Sequence, residues 1–265
     1  MGTLMDFPLI LFLASLVVLS GSAYLGDLLR KRIRPLVEDE LEDFRGVMTA
    51  TLTLLALLIG FSFSMAVSRY DQRKNYEEAE ANAIGTEYVR ADLLPSSDGS
   101  RVRELLKSYL DQRLLFYTVT NQDQLQQIDG DTARLLAELW SAVRIAAATQ
   151  PTPIVALAVS GMNDVLNSEG YTQAAWWNRI PASAWSLMAA IAVCCHLLLG
   201  YDARKTSALL FLILPFIVSI AFFLIADIDS PRGGTIRVYP QNLKRLAQSL
   251  NTELPGSRPP AIPIR

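Results

Sequence analysis

Apolar residues in this chain gather into four long, unbroken runs set apart by polar stretches. The runs cover residues 7–26, 47–67, 180–201 and 207–226. Charged residues bracket them: Asp6 and Asp27 the first, Arg45 and Arg69 the second, Arg179 and Asp202 the third, Lys205 and Asp227 the fourth. A hydrocarbon core of about 30 Å takes about 20 apolar residues as a helix. Within lipid every backbone N–H and C=O must bond inside its own segment, so each run predicts a transmembrane helix. Trp176, Trp177 and Trp185 suit an interfacial aromatic belt at the start of the third. Pro215 predicts a kink in the fourth. Gly21-Ser22-Ala23 would suit a signal-peptide cleavage site, but no Lys or Arg precedes the first run and Arg30-Lys31-Arg32 follows it. That order is the reverse of a signal peptide, so the run reads as a retained helix.

The region 68–179 has a different pattern. Val102, Leu105, Leu106, Tyr109, Leu110, Leu114 and Tyr117 keep helical spacing, and so do Leu135, Leu136, Leu139, Trp140 and Val143. Asp98-Gly99-Ser100 reads as a cap before the first set, and Pro95–Gly99 and Asn121–Gly130 read as loops. Thr152-Pro153 reads as the N-cap and first residue of a helix carrying Val155, Val159, Met162 and Leu166. Leu243, Leu246 and Leu250 suggest a short amphipathic helix after the fourth run. Nothing alternates with period two. The fold class is all-α: four transmembrane helices with a helical extramembrane domain between the second and third. Residues 1–254 read as a single membrane domain, and the proline-rich stretch 255–265 as a flexible tail.

Composition narrows the chemistry. The chain is 51% hydrophobic and 19% charged, with formal net charge −2, which disfavours a nucleic-acid partner. Cys194 and Cys195 adjoin His196 inside the third run, too few ligands for a structural zinc site. No metal or cofactor is expected. No paired carboxylates and no nucleophile–base pair lie within the spans, so an enzyme is not expected either.

The second run carries the sharpest pattern. Thr49, Thr53, Ala56, Gly60, Ser64 and Ser68 recur every three or four residues and share one helical face, while Leu54, Leu55, Leu58, Ile59 and Phe63 cover much of the rest. Two readings fit. Small residues at this spacing let helices approach closely; alternatively, the face borders water in a pore. Both favour assembly. No Gly or Pro interrupts the sequence from Ser68 to Ile84, so the helix is expected to run straight out of the membrane. Arg69, Arg73, Glu77 and Glu80 form charge blocks there, read either as a solvated face or as charge rings at a pore mouth. Asn82, Gly85, Thr86 and Arg90 mark a helix contact, within the chain or between copies. Asp227, Asp229, Arg232 and Arg237 stand at the exit of the fourth run as a membrane-boundary collar, with structural pairing the favoured reading over an ion-entry site.

The run from Ile59 to Lys74, the segments Glu80 to Thr86 and Arg90 to Pro95, and the block Asp227 to Val238 together resemble a bacterial membrane family described as bestrophin-like. Its link to bestrophins proper rests on Gly60-Phe61 and the run Tyr70-Asp71-Gln72-Arg73. Bestrophins are pentameric ion channels whose second helix lines a narrow neck. The resemblance therefore implies a homo-oligomer passing small ions, with Thr53, Leu57 and Phe61, or the face of Thr49, Gly60, Ser64 and Ser68, bordering the pore. It implies no calcium gating, because the acidic calcium clasp of animal bestrophins has no counterpart here.

The expected function is an oligomeric ion channel of the cell (inner) membrane, in contact with the lipid bilayer. The rival is a non-conducting membrane-anchored scaffold or sensor that binds a protein through residues 68–179. Topology is a close contest. Arg30, Lys31, Arg32, Arg34, Arg45, Arg204 and Lys205 in the short loops would place those loops in the cytoplasm. The resemblance implies the opposite, with 68–179 cytoplasmic, and that orientation is preferred.

Overall fold

A computed structural model describes residues 4–32, 38–202 and 208–252. The expected tail at 255–265, the loop cations Arg34, Arg204 and Lys205, and Ser207 at the start of the fourth run lie outside the described residues. Among the described residues all regular structure is helical. Eight α-helices follow in order: α1 Pro8–Arg32, α2 Glu38–Arg90, α3 Ser96–Thr118, α4 Gln122–Thr149, α5 Pro153–Trp177, α6 Ala182–Asp202, α7 Ala208–Asp229 and α8 Gln241–Thr252. Helical stretches long and apolar enough to cross a membrane are found in Pro8–Arg32, Glu40–Leu93, Pro153–Asp202 and Phe211–Asp229. The all-α, four-membrane-helix architecture expected from the apolar runs is the observed one.

Element boundaries differ from the sequence reading where glycine was taken as a breaker. Asn121 is an N-cap rather than the start of a loop: its side chain accepts from the backbone N–H of Asp123 (2.8 Å) and Gln124 (3.2 Å). From that cap α4 continues through Gly130, because buried Leu125 and Ile128 extend the apolar period that Leu139 and Val143 carry on. Likewise Asp98-Gly99-Ser100 lies inside the first turn of α3 instead of preceding it, since the helix starts at Ser96. Gly99 is needed there for another reason: a Cβ would collide with the carbonyl of Ala91. Thr152 does cap α5, its hydroxyl accepting from the N–H of Val155 at 3.2 Å. Helix α7 passes through Pro215 without a break in helical structure.

The chain divides into two compact units, one of residues 1–71 and 178–237, the other of 72–177 and 238–265. The first unit holds α1, the apolar part of α2, α6 and α7. Its core joins Leu19, Leu55, Ala66, Trp185, Met188, Ala192, Cys195, Phe222 and Ile225. Apolar area alone cannot select helix partners in lipid, so close backbone approach does much of that work. Here α1 and α6 touch backbone to backbone. A Cβ on Gly26 would strike the carbonyl of Leu197, and one on Gly200 the carbonyl of Ala23. Phe12 meets Phe216 and Phe223 edge-on at 6.0 and 6.3 Å between ring centres.

The second unit holds the end of α2 with α3, α4, α5 and α8. Its buried apolar set includes Ile84, Val102, Leu106, Leu110, Leu139, Val143, Met162, Val165 and Leu243. Phe116, Tyr117 and Trp176 form an edge-to-face aromatic trio. Beside it the unit buries charge. Arg113 and Glu80 are both 0% exposed and ion-paired, and the Arg113 guanidinium lies 4.4 Å from the Phe116 ring centre.

Candidate functional site on the second helix

In the first unit α2 turns one side inward. Leu55, Ser62 and Ala66 are buried and recur at helical spacing. The other side faces out. Thr49, Thr53, Leu57, Gly60, Phe61, Ser64 and Ser68 are all exposed, Phe61 at 67%. A Cβ added at Gly60 would meet no other atom of the chain within 4 Å. The small-residue face is thus not consumed by packing within one chain. Its hydroxyls are partly satisfied by the helix itself: Thr53 Oγ1 donates to the Thr49 carbonyl at 2.9 Å. Bonded this way, they present a mildly polar surface at little desolvation cost. Arg45, Gly46, Thr49, Ala50, Thr53, Leu54 and Leu57 line a shallow depression along this surface.

The four charges expected at a vestibule go elsewhere. Arg69 pairs with Asp229 at 3.7 Å. Arg73, Glu77 and Glu80 are 1%, 1% and 0% exposed, so they cannot border water and the expectation is corrected for them. Glu80 is the acceptor of a buried network: Tyr109 donates its hydroxyl to Oε1 at 3.2 Å, Thr172 donates to Oε2 at 3.2 Å, and Arg113 donates through Nε and Nη2. Glu77 holds the start of α8, accepting the N–H of Asn242 (2.9 Å) and of Leu243 (3.0 Å) and the Asn242 amide (2.7 Å). A carboxylate on the first N–H groups of a helix satisfies donors that have no intrahelical partner. The exposed charges of α2 in this stretch are Asp71, Lys74 and Glu78.

Burial dominates the electrostatics of the second unit. It pushes the Tyr109 phenol up, helped by the adjacent Glu80 carboxylate, and it pushes Tyr117 up in the same way. Burial works against the Arg113 cation, yet Glu80 and Tyr109 reverse that effect and hold the guanidinium protonated. Glu169, 3.9 Å from Arg113 Nη1, is raised by burial against the pull of that arginine. The two phenols stay neutral and the guanidinium stays charged near neutral pH.

The helix-contact residues divide. Gly85 faces α8, where a built Cβ would lie 3.1 Å from Leu246 Cδ1, so its close contact is within the chain. Asn82 and Thr86 are exposed. Arg90 approaches Asp164 at 3.9 Å and Gly161. Together with Arg245, Asn242 and Ser249 these residues line a groove between α2 and α8.

At the end of α7 the acidic residues are anchors. Asp227 is 2% exposed and accepts from Thr235 N–H (2.7 Å), Thr235 Oγ1 (2.8 Å) and Ile236 N–H (2.9 Å). Asp229 accepts from Ile180 N–H at 3.1 Å. Arg179 bridges Asp6 and Ser230, a link the sequence did not single out. Arg237 donates to the Gly234 carbonyl at 2.6 Å, and Arg232 is partly exposed. The block Asp227–Val238 thus forms a hydrogen-bonded turn in which Gly233 and Gly234 leave no room for a side chain, being packed on Asp6 and Asp227 carbonyls. Among the described residues no group of three or more His, Cys, Asp or Glu could hold a metal ion.

A family model described as Bestrophin-like domain matches residues 14–243. Solved structures agree in fold. A crystal structure of a bacterial bestrophin homolog from Klebsiella pneumoniae carrying a point substitution superposes with TM-score 0.63 at 12% identity, covering 90% of this chain and 93% of that one. Another crystal structure of a bacterial bestrophin homolog from the same organism gives 0.62 at 13% identity, covering 91% and 95%. No curated protein is similar enough in sequence to count as a match.

Proposed function

We propose, from the premise that this chain belongs to the Bestrophin-like family, that it is the subunit of an oligomeric channel whose pore runs along α2. The observation that carries the reading is the unpartnered face of that helix. Thr49, Thr53, Gly60, Ser64 and Ser68 are exposed, whereas Leu55, Ser62 and Ala66 on the opposite side are buried. Such a face is poorly suited to lipid, and a ring of copies would enclose it. Leu57 and Phe61, exposed on the same helix, supply apolar constrictions that can gate by dewetting. Asp71, Lys74 and Glu78 replace the buried Arg73, Glu77 and Glu80 as the charges available to a vestibule. The permeant species is a small ion. The assembly is a homo-oligomer, with five copies expected from the bestrophin resemblance. It sits in the inner membrane with the second unit on the cytoplasmic side, an orientation that reporter fusions at residues 100 and 203 would test.

The functional test is reconstitution. Purified protein in liposomes should release a trapped ion gradient, and Gly60→Leu and Ser64→Leu should reduce that flux while leaving the protein folded. Absence of flux across a series of anions and cations, or flux indifferent to both substitutions, would refute the pore assignment. The scaffold alternative needs this face buried between helices, and within one chain it is not.

A further inference from the structure

We propose that Glu87 is a proton-operated clamp between α2 and α5: protonated, it fills a notch above Gly161, and on ionisation it loosens that contact. The inference goes beyond the channel reading and holds whether or not the protein conducts.

Glu87 is 0% exposed. Neither carboxyl oxygen has a hydrogen-bond partner among the described residues. A Cβ on Gly161 would collide with Glu87 Oε2 and with Arg90 Nη1, so carboxyl and guanidinium both lie against the backbone of α5. Glycine at 161 makes the space that the glutamate occupies. Glu80 and Glu77, the other buried carboxylates of α2, each collect three or four hydrogen bonds. Glu87 collects none. A buried carboxylate without donors is strongly disfavoured, whereas the neutral acid is tolerated. Its place in the last turn of α2, where the helix end is negative, opposes ionisation further.

Two charged groups act on it. Burial pushes its pKa up to about 8; Arg90 on the same helix pulls it down and Asp164 on α5 pushes it up. Arg90 is the cation near both acids, with Nη1 3.9 Å from Asp164 Oδ2 and no hydrogen bond to Glu87. While Glu87 is neutral, Arg90 is left to Asp164. Once Glu87 ionises it must draw Arg90 away from Asp164 or reach water, and either move changes how the end of α2 seats on α5. The sign follows from the raised folded pKa. Below the unfolded value of 4.5 both states are protonated; as pH rises from there to about 8 the folded state alone keeps the proton and its stability declines.

The test uses the full chain in detergent micelles. Hydrogen exchange, corrected for intrinsic rate, is followed between about pH 6 and about pH 10, either side of the titration that burial sets. Protection of peptides covering 153–164 should fall roughly a hundredfold across that range in the parent, about one decade per pH unit up to the folded pKa of about 8, and should stay flat in Glu87→Gln. Asp164→Asn should move the midpoint to lower pH, because it removes the acid that raises it. Infrared titration of the parent gives a readout that does not need the glutamine variant to fold: a protonated-carboxyl band should disappear near the same midpoint and shift with Asp164→Asn. A flat parent profile, a Glu87→Gln profile that still titrates, or a carboxyl already ionised at the acid end would each overturn the clamp.

Discussion

The buried pair Glu80–Arg113 is the sharpest energetic prediction. Both side chains are 0% exposed, and each is the main charge partner of the other. Replacing Glu80 with glutamine keeps the shape but strips the charge and leaves one acceptor oxygen where Tyr109 and Thr172 now use two. Arg113 is then a buried cation whose Nη1 already lacks a hydrogen bond. Its face-on contact with Phe116 at 4.4 Å recovers about 1–2 kcal/mol of cation–π energy, which is already present in the parent. Removing one member of a buried pair costs about 3–5 kcal/mol. For a chain of this size each kcal/mol moves the melting midpoint by about 2–4 °C, so Glu80→Gln should melt roughly 10 °C lower. Arg113→Met should cost about as much, from the opposite stranded charge. The double variant Glu80→Gln/Arg113→Met should lose far less than the sum, because no charge is left unpaired in the buried site. The assay is circular-dichroism melting in detergent for all four proteins of the cycle. Single variants within about 2 °C of the parent, or strictly additive losses, would refute the claim that this pair organises the second unit.

Other positions give further outcomes. Gly200→Leu and Gly26→Val should abolish folded, monodisperse protein in size-exclusion chromatography, because α1 and α6 meet backbone to backbone there, whereas Gly60→Ala should leave the elution profile unchanged. Glu77→Gln weakens the anchor of α8 without changing its size. Protease cleavage at Lys244 and Arg245 should accelerate about tenfold, in line with loss of one to two charge-assisted bonds, and unchanged cleavage would deny the anchor. Asp227→Ala removes three hydrogen bonds from the 234–236 turn and should destabilise by about 2–4 kcal/mol, measured as a melting shift.

The division between what the sequence reveals and what it hides has a physical basis. Membrane helices are legible because the bilayer imposes length and apolarity locally. The small-residue face of α2 is legible because helical period alone aligns it. Charges on α2 are not. Glu77, Glu80 and Arg73 sit in a polar run that reads as a solvated helix, and the groups that bury them are remote. Arg113 and Thr172 lie 33 and 92 residues from Glu80, and Asn242 lies 165 from Glu77. One available signal was the period itself: Arg73, Glu77, Glu80, Ile84 and Glu87 follow the buried stripe, with Ile84 as its apolar marker. Glycines mislead for a similar reason. Gly60, in the most conspicuous pattern, touches nothing in its own chain, while Gly26 and Gly200, at helix ends with no motif around them, are the ones that carry close packing. The breakers Gly99 and Gly130 fall inside helices because Ser96 and Asn121, upstream of each, open those helices first.

If the exposed face of α2 surrounds a conducting path, chemical modification along that face must block ion flux. Cysteines placed singly from Thr49 to Ser68 in a Cys194→Ser background, and modified in liposomes by a charged methanethiosulfonate reagent while ion flux is recorded, test it directly. Block is expected at Thr49, Thr53, Gly60, Ser64 and Ser68, which share one helical face, with none at Leu55, Ser62 or Ala66. Flux unaffected by modification along the whole face, or block centred on the buried side, would contradict the pore assignment.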